Sequence, residues 1–314
     1  MTSGTALYGR LLWRRNAELV PLYVLLLVLL AVYAWLYPGL LSISGIARFT
    51  QNWFPVAVVA MAQTLVMLTG GIDLAVGAMV SLGSVLAASW VGETAFGATL
   101  GIAGTVAVGA AFGACVGAIV ALLRLPAIIV TLASSFIIGG VALLVMPKPG
   151  GSMPAWLSDA LAGTEPLALL LLAVLLVAWR LLLATPLGLA IQAAGDNPVA
   201  AFRSGVPVGL ARIVTYGLAG GLAALAGVYV AAQTGAGDPV IGNPLTLQSI
   251  TAAVLGGVGF LGGQGTLRGA VCGSLLLAVM INVMFHLGFP PVTQYVAQGL
   301  VIVAAMAVRR FREA

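Results

Sequence analysis

Asp73 stands in the stretch Thr69-Gly-Gly-Ile-Asp-Leu-Ala-Val-Gly77, three glycines and one carboxylate inside a chain that is 61% hydrophobic. Two kinds of chemistry suit a carboxylate there. It can carry a proton or a cation, because ionisable side chains at membrane depth are costly and tend to be functional. Alternatively it can accept hydrogen bonds from the free amides that open a helix, where its charge also suits the positive end of the dipole. Gly70 and Gly71 permit the backbone turn that either role needs. A proton relay needs a second carboxylate or a histidine in a nearby span, and none falls there, since Glu93 is placed at a span end.

Other reactive groupings are missing. His286 is the only histidine, and no His/Cys/carboxylate cluster has the spacing of a metal site. Cys115 and Cys272 lie in apolar, small-residue segments and read as two buried small side chains rather than a disulfide. No Ser-His-Asp or Cys-His arrangement argues for hydrolysis. The glycine-dense run Gly256-Gly257-Val258-Gly259-Phe260-Leu261-Gly262-Gly263-Gln264-Gly265 is too flexible for a regular helix. It lacks the Lys-Ser/Thr ending of a phosphate-binding loop, and the one lysine, Lys148, precedes Pro149. Nothing here equips the chain for catalysis, metal binding or ATP hydrolysis of its own.

The elements that position these residues are apolar. Charged types make up 7% of the 314 residues, against about 25% in a soluble domain. Ten candidate spans can be drawn, at 19–37, 53–69, 74–91, 96–122, 126–146, 166–184, 211–232, 247–260, 268–287 and 292–308. Several are shorter than the ~20 residues a crossing needs, which predicts broken or tilted helices. Leu19–Leu36 exceeds a signal-peptide core, and no small-x-small cleavage site follows it, so it reads as a retained first span. The positive-inside rule places both termini in the cytoplasm, with Arg10, Arg14 and Arg15 before the first span and Arg309, Arg310 and Arg312 after the last. Arg124, Arg180, Arg203, Arg212 and Arg268 then fall inside, while Arg48 and Lys148 go against the bias. Eight spans with re-entrant segments fit nearly as well. The net charge of +5 reads as an orientation signal rather than a nucleic-acid surface.

A second copy of the opening stretch appears 165 positions on. Thr69, Gly70, Asp73 and Gly77 fall on Thr234, Gly235, Asp238 and Gly242 without a gap. The first copy joins spans two and three, the second spans seven and eight. Two halves of five spans, 19–146 and 166–308, would be inverted in the membrane, a recurring transporter design with broken helices near the substrate path. The expected fold is therefore one all-α polytopic membrane domain over 1–314, with about ten helices and an inverted five-plus-five repeat. Asp238-Pro239 has the form of an N-cap and first-turn proline, and Asp73 is expected to cap the following span likewise. Gly70, Gly71, Asp73, Gly77, Asp238, Gly242, Gly262 and Gly263 are the candidate helix-break positions. Gly97, Gly101, Gly109, Gly113 and Gly117 give span four small-xxx-small faces suited to packing within its own bundle.

The loop 185–210 carries a short helical signal. Asn197 can cap it, Pro198 suits its first turn, and Gly205 suits the position after its end. It reads either as a solvated connector or as a docking helix for another protein. Amides and an aromatic in the spans, at Asn52, Gln63, Gln248, Asn282 and Phe285, are candidates for a path that a neutral polyhydroxylated molecule could follow. A sugar phosphate would need Arg or Lys at depth.

Three stretches, GGIDLAVG at 70–77, GDNPVAAFRSGV at 195–206 and AAVLGGVGFLGGQGTLRGAVCGSLLL at 252–277, resemble the membrane permeases of ribose-type ATP-binding-cassette importers. The resemblance runs in order from about Asn52 to Val308. It implies a permease subunit in the bacterial inner membrane, paired with a second permease copy, either identical or a different chain. It further implies cytoplasmic ATPase subunits that bind ATP and Mg, and a periplasmic sugar-binding protein. The segment Gly195–Gly205 would be the coupling helix, with Gly195, Asp196, Asn197, Pro198, Ala200, Ala201, Arg203 and Gly205 as its candidate contacts and Ala201 on the face expected to bury in the ATPase. Many relatives have glycine where this chain has Asp196. The alternative class is a self-sufficient secondary transporter or channel, which has no need of a coupling loop.

Overall fold

A computed structural model describes residues 20–260 and 262–313. The N-terminal arginines Arg10, Arg14 and Arg15, and Leu261, lie outside the described residues, as do the side chains of Arg309, Arg310 and Arg312. Thirteen α-helices appear in order among the described residues: α1 Val20–Leu36, α2 Ile43–Leu68, α3 Val76–Trp90, α4 Ala95–Leu122, α5 Ala127–Val145, α6 Ala155–Ala162, α7 Leu167–Leu183, α8 Pro186–Asp196, α9 Pro198–Arg203, α10 Val208–Thr234, α11 Asn243–Leu255, α12 Leu267–His286 and α13 Pro291–Glu313. No strand forms among them. One isolated antiparallel bridge joins Gly150 to Gly237.

Among the described residues, five helices are long and apolar enough to cross a membrane: α2, α4, α5, α10 and the Arg268–His286 part of α12. A sixth crossing results if α6 and α7, bent by 77°, count as one span. The shorter apolar helices are Leu22–Leu36 of α1, α3 itself, and Pro291–Ala304 of α13, and α11 has only 13 residues. At about 1.5 Å per residue each covers roughly 20 Å, less than the ~30 Å of a hydrocarbon core. The bilayer-facing surface is plain in the side chains. Leu27, Phe136, Ile137 and Leu144 are all more than 60% exposed, which only a lipid environment makes favourable for such a concentration of apolar side chains.

The core is built on α2 and α10. A stretch of α2 from Thr50 to Leu68 is buried almost throughout, Asn52 being its exception. Helix α10 packs against α3 and α4, and α2 against α11 and α12. Glycine makes the α4–α10 contact as close as it is. A β-carbon on Gly109 would lie 2.7 Å from the Gly220 carbonyl oxygen, and one on Gly113 would lie 2.2 Å from that of Tyr216. The small-residue spacing of this helix thus serves its own bundle, as expected. Cys115, by contrast, is exposed rather than buried, because it lies off the glycine stripe that meets α10.

Candidate functional site

The first helix break is tied down residue by residue. Helix α2 ends at Leu68, and Gly70 turns the chain with φ +79°. Gly71 fits because a β-carbon there would lie 2.4 Å from the Tyr216 hydroxyl oxygen. Thr131 Oγ1 donates to the Ile72 carbonyl at 3.1 Å. Gln63, fully buried, donates to the Asp73 carbonyl at 3.0 Å and accepts from the Asp73 N–H at 3.2 Å. Its amide therefore braces the break. Asp73 is 6% exposed, and its Oδ1 accepts from the Ala75 N–H at 2.8 Å.

Helix α3 begins at Val76 with Ala75 at the cap position, so Asp73 is not an N-cap as the sequence suggested. It closes a turn two residues earlier, bonding to its own backbone as Asx residues do. The second break repeats this. Asp238 Oδ1 accepts from the Val240 N–H at 2.9 Å, and α11 begins only at Asn243 after Gly242. Pro239 accordingly belongs to the turn and not to the first turn of α11. In both breaks the two-residue turn satisfies the aspartate locally, and the helix starts only beyond it, at Val76 and at Asn243.

The breaks meet each other through reciprocal bonds. The Gly77 N–H donates to Thr246 Oγ1 at 3.1 Å, and the Gly242 N–H donates to Ser81 Oγ at 2.9 Å. Each glycine is 165 positions from its counterpart, as is each hydroxyl residue. A β-carbon on Gly77 would lie 2.4 Å from the Gly242 oxygen, and one on Gly242 would lie 2.0 Å from the Gly77 oxygen. Two half-length helices thus begin side by side, each first-turn amide satisfied by the other's hydroxyl. Ser84 Oγ also accepts from the Asp238 N–H at 3.2 Å.

The three sequence motifs converge at one end of the bundle. The Gly263 N–H donates to the Leu68 carbonyl at 3.0 Å, joining the glycine-rich turn after α11 to the end of α2. Gly195, near the end of α8, fits between them: a β-carbon there would lie 1.8 Å from the Leu68 oxygen and 2.6 Å from the Gly263 nitrogen. Gly262 and Gly263, both at positive φ, lie against Gly195 and Asp196. These two glycines therefore join the break to the loop 185–210.

That loop is more helical than its sequence suggested. Helix α8 covers eleven residues, capped by Thr185, and α9 follows at once. The caps of α9 are those expected: Asn197 Oδ1 accepts from the Ala200 N–H at 2.9 Å, Pro198 is in the first turn, and Gly205 adopts φ +82°. The exposed face differs from the expected one. Ala201 is buried against its own chain, whereas Val199 and Phe202 are 61% and 74% exposed. The six-residue helix turns Ala201 inward, and the Ala201 carbonyl accepts from the Val206 N–H at 3.0 Å. Asp196, Asn197, Pro198, Ala200, Arg203 and Gly205 are exposed.

Of the path candidates, Asn282 bonds to Ala278 and receives the Tyr33 hydroxyl at 3.4 Å, on the side covered by α1. Phe285 is exposed beside His286, and Gln248 is half-buried on α11. Asn52 is exposed and accepts from Gln233 Nε2 at 3.2 Å, across α2 and α10. No local pattern marks Gln233 as part of this pair, because its partner is 181 positions away. Among the described residues no group of three metal-ligating side chains forms.

One prediction follows from the turn geometry. Asp73→Asn keeps the acceptor for the Ala75 N–H and is expected to retain most transport. Asp73→Ala leaves that buried amide unpaired, at a cost of about 1–3 kcal/mol. Thermal unfolding and uptake measured together check this. Equal loss of uptake in both variants at normal protein levels would assign the role to the charge.

A helical membrane bundle with two interlocked helix breaks, and a glycine-fitted segment docked on one of them, defines a polytopic transport protein. The chain belongs to the family described as branched-chain amino acid transport system / permease component, whose model matches residues 45–306, and within it resembles the permeases of ribose-type ATP-binding-cassette importers. It is 35% identical to the ribose import permease protein RbsC of Escherichia coli K12, over 91% of each chain. It is 33% identical to the fructose import permease protein FrcC of Rhizobium meliloti, over 92% of this chain and 84% of that one. It is 34% identical to the autoinducer 2 import system permease protein LsrC of Klebsiella pneumoniae, over 96% and 88%. No solved structure matches the chain.

Proposed function

We propose that this chain is the translocation subunit of an ATP-driven importer, passing a neutral monosaccharide or related small polar solute from a periplasmic binding protein to the cytoplasm. The observation that carries the reading is the convergence of Leu68, Gly195 and Gly263. A segment displaced by a partner ATPase at α8–α9 would move the end of α2 and the first helix break with it. The names of the relatives, which import ribose, fructose and autoinducer 2, support the solute class. The exposed Asn52–Gln233 amide pair supports a polar path, because amides turned toward lipid would be costly.

In this reading ATP and Mg bind the partner ATPases, and the chain itself only gates a path. A second permease copy, identical or not, completes it. The end carrying Leu68, Arg124, Gly195 and Arg212 faces the cytoplasm, with both termini on that side. The ten spans form two inverted halves, a reading supported by the reciprocal Gly77–Thr246 and Gly242–Ser81 bonds and by the matched turns at Asp73 and Asp238.

In this reading the ATPase docks on the exposed side of α9, at Val199 and Phe202. Phe202→Asp is expected to weaken ATPase association by about tenfold or more, since exposed aromatic anchors dominate interfaces. The melting temperature of the isolated permease should stay the same. Wild-type association in a pull-down would move the docking face elsewhere.

The overall reading is tested by uptake in vesicles loaded with ATP and carrying the partner ATPase and binding protein. Labelled neutral pentoses and hexoses should enter, their phosphates should not, and a protonophore should leave uptake unchanged. Preferred entry of the phosphates, or collapse of uptake with ATP held constant, would overturn it in favour of another solute or a self-sufficient transporter.

A further inference from the structure

A cleft of about 100 Å³ opens where the turn between α4 and α5 meets the first helix break and the start of α10. Thr69, Gly70, Arg212 and Tyr216 supply its polar side, Val120 and Leu125 its apolar side. Tyr216 is 1% exposed, and its hydroxyl has no hydrogen-bond partner among the described residues. Its ring packs in a buried cluster with Ala62, Val66 and Val116. Arg212, one turn earlier on α10, makes no ion pair or hydrogen bond among the described residues. The nearby carboxylate of Asp73 is already engaged by the Ala75 amide.

A buried hydroxyl without a partner is costly, and a guanidinium beside it supplies several further donors. Such a donor set matches an oxyanion. The cleft lies at a helix-turn end of the bundle, where Leu122 and Leu123 are 70% and 64% exposed beside the exposed Arg124. Leucines next to arginine at a span end suit the boundary between acyl chains and headgroups.

We infer that Arg212 and the Tyr216 hydroxyl form a binding site for a phosphate group, supplied by an anionic phospholipid headgroup or by free phosphate. The site touches the first helix break through Thr69 and Gly70, so its occupancy would brace the break. The inference rests on the membrane setting and is independent of which solute is carried.

The test uses the full-length protein, purified, delipidated and titrated by native mass spectrometry with phosphatidylglycerol, with diacylglycerol as the phosphate-free control, and with inorganic phosphate as competitor. Phosphatidylglycerol should be retained over diacylglycerol. Arg212→Gln should reduce that retention about tenfold and Tyr216→Phe by a smaller factor, as loss of charge-assisted bonds implies. Competition by inorganic phosphate would make free phosphate a sufficient source, and retention without competition would assign the lipid. Equal retention of the two lipids without a phosphate effect, or retention of phosphatidylglycerol unchanged in both variants, overturns the inference. If Arg212→Gln does not fold, Tyr216→Phe decides alone, because it keeps the ring packing and removes only the hydroxyl.

Discussion

Gly195→Ala is expected to abolish ATP-driven uptake while leaving the helices inserted. The added β-carbon would lie 1.8 Å from the Leu68 carbonyl oxygen and 2.6 Å from the Gly263 nitrogen. Both neighbours are backbone, and they are bonded to each other at 3.0 Å, so neither can rotate away as a side chain would. Overpacking of this kind costs roughly 3 kcal/mol or more, about a hundredfold in the population of the docked arrangement. Helix α8 would have to lift off the end of α2, breaking the connection between α9 and the helix break. Gly209→Ala is the control, since a β-carbon there meets nothing within 4 Å. The measurement is uptake normalised to correctly inserted protein. Wild-type uptake by Gly195→Ala would show that coupling does not run through this contact.

Gly242→Ala should destabilise the bundle where the two helix breaks meet. Its β-carbon would lie 2.0 Å from the Gly77 oxygen and 2.9 Å from the Ser81 nitrogen, at the point where α3 and α11 begin. Gly77→Ala meets the same contact from the other side. Each should destabilise the purified protein by about 1–3 kcal/mol. Ser81→Ala and Thr246→Val test the reciprocal bonds without adding bulk. Each leaves one first-turn amide unpaired, again at about 1–3 kcal/mol. Gly139→Ala and Gly140→Ala in α5 have open space and should be neutral or stabilising. Thermal unfolding of the set in one detergent decides. A Gly242→Ala variant as stable as Gly139→Ala would mean that the two breaks do not interlock as described. Comparable losses in Ser81→Ala and Thr246→Val would fit two equivalent halves.

Much of the local architecture is written in the order of residues along the chain. The ends of α9 follow from Asn197, Pro198 and Gly205, because a cap joins groups three residues apart and a positive φ belongs to one residue. The turns at Asp73 and Asp238 are equally local, which is why their spacing of 165 positions could be read before any contact was known. The glycine-rich break at 256–265 and the small-residue stripe of α4 belong to the same class. What only the tertiary structure decided depends on residues far apart in the chain. Gly195 must be glycine because Leu68 and Gly263 close around it, and no local pattern states that. Ala201 faces its own chain, and Gln63 braces Asp73, because the bundle fixes which side of a short helix or which end of an amide finds a partner. Helix α3 starts at Val76 rather than beside Asp73 because its first turn forms where it meets α11, with Thr246 supplying the acceptor for Gly77. Capping and backbone sterics act over three or four residues, whereas close packing acts between whichever segments the fold brings together.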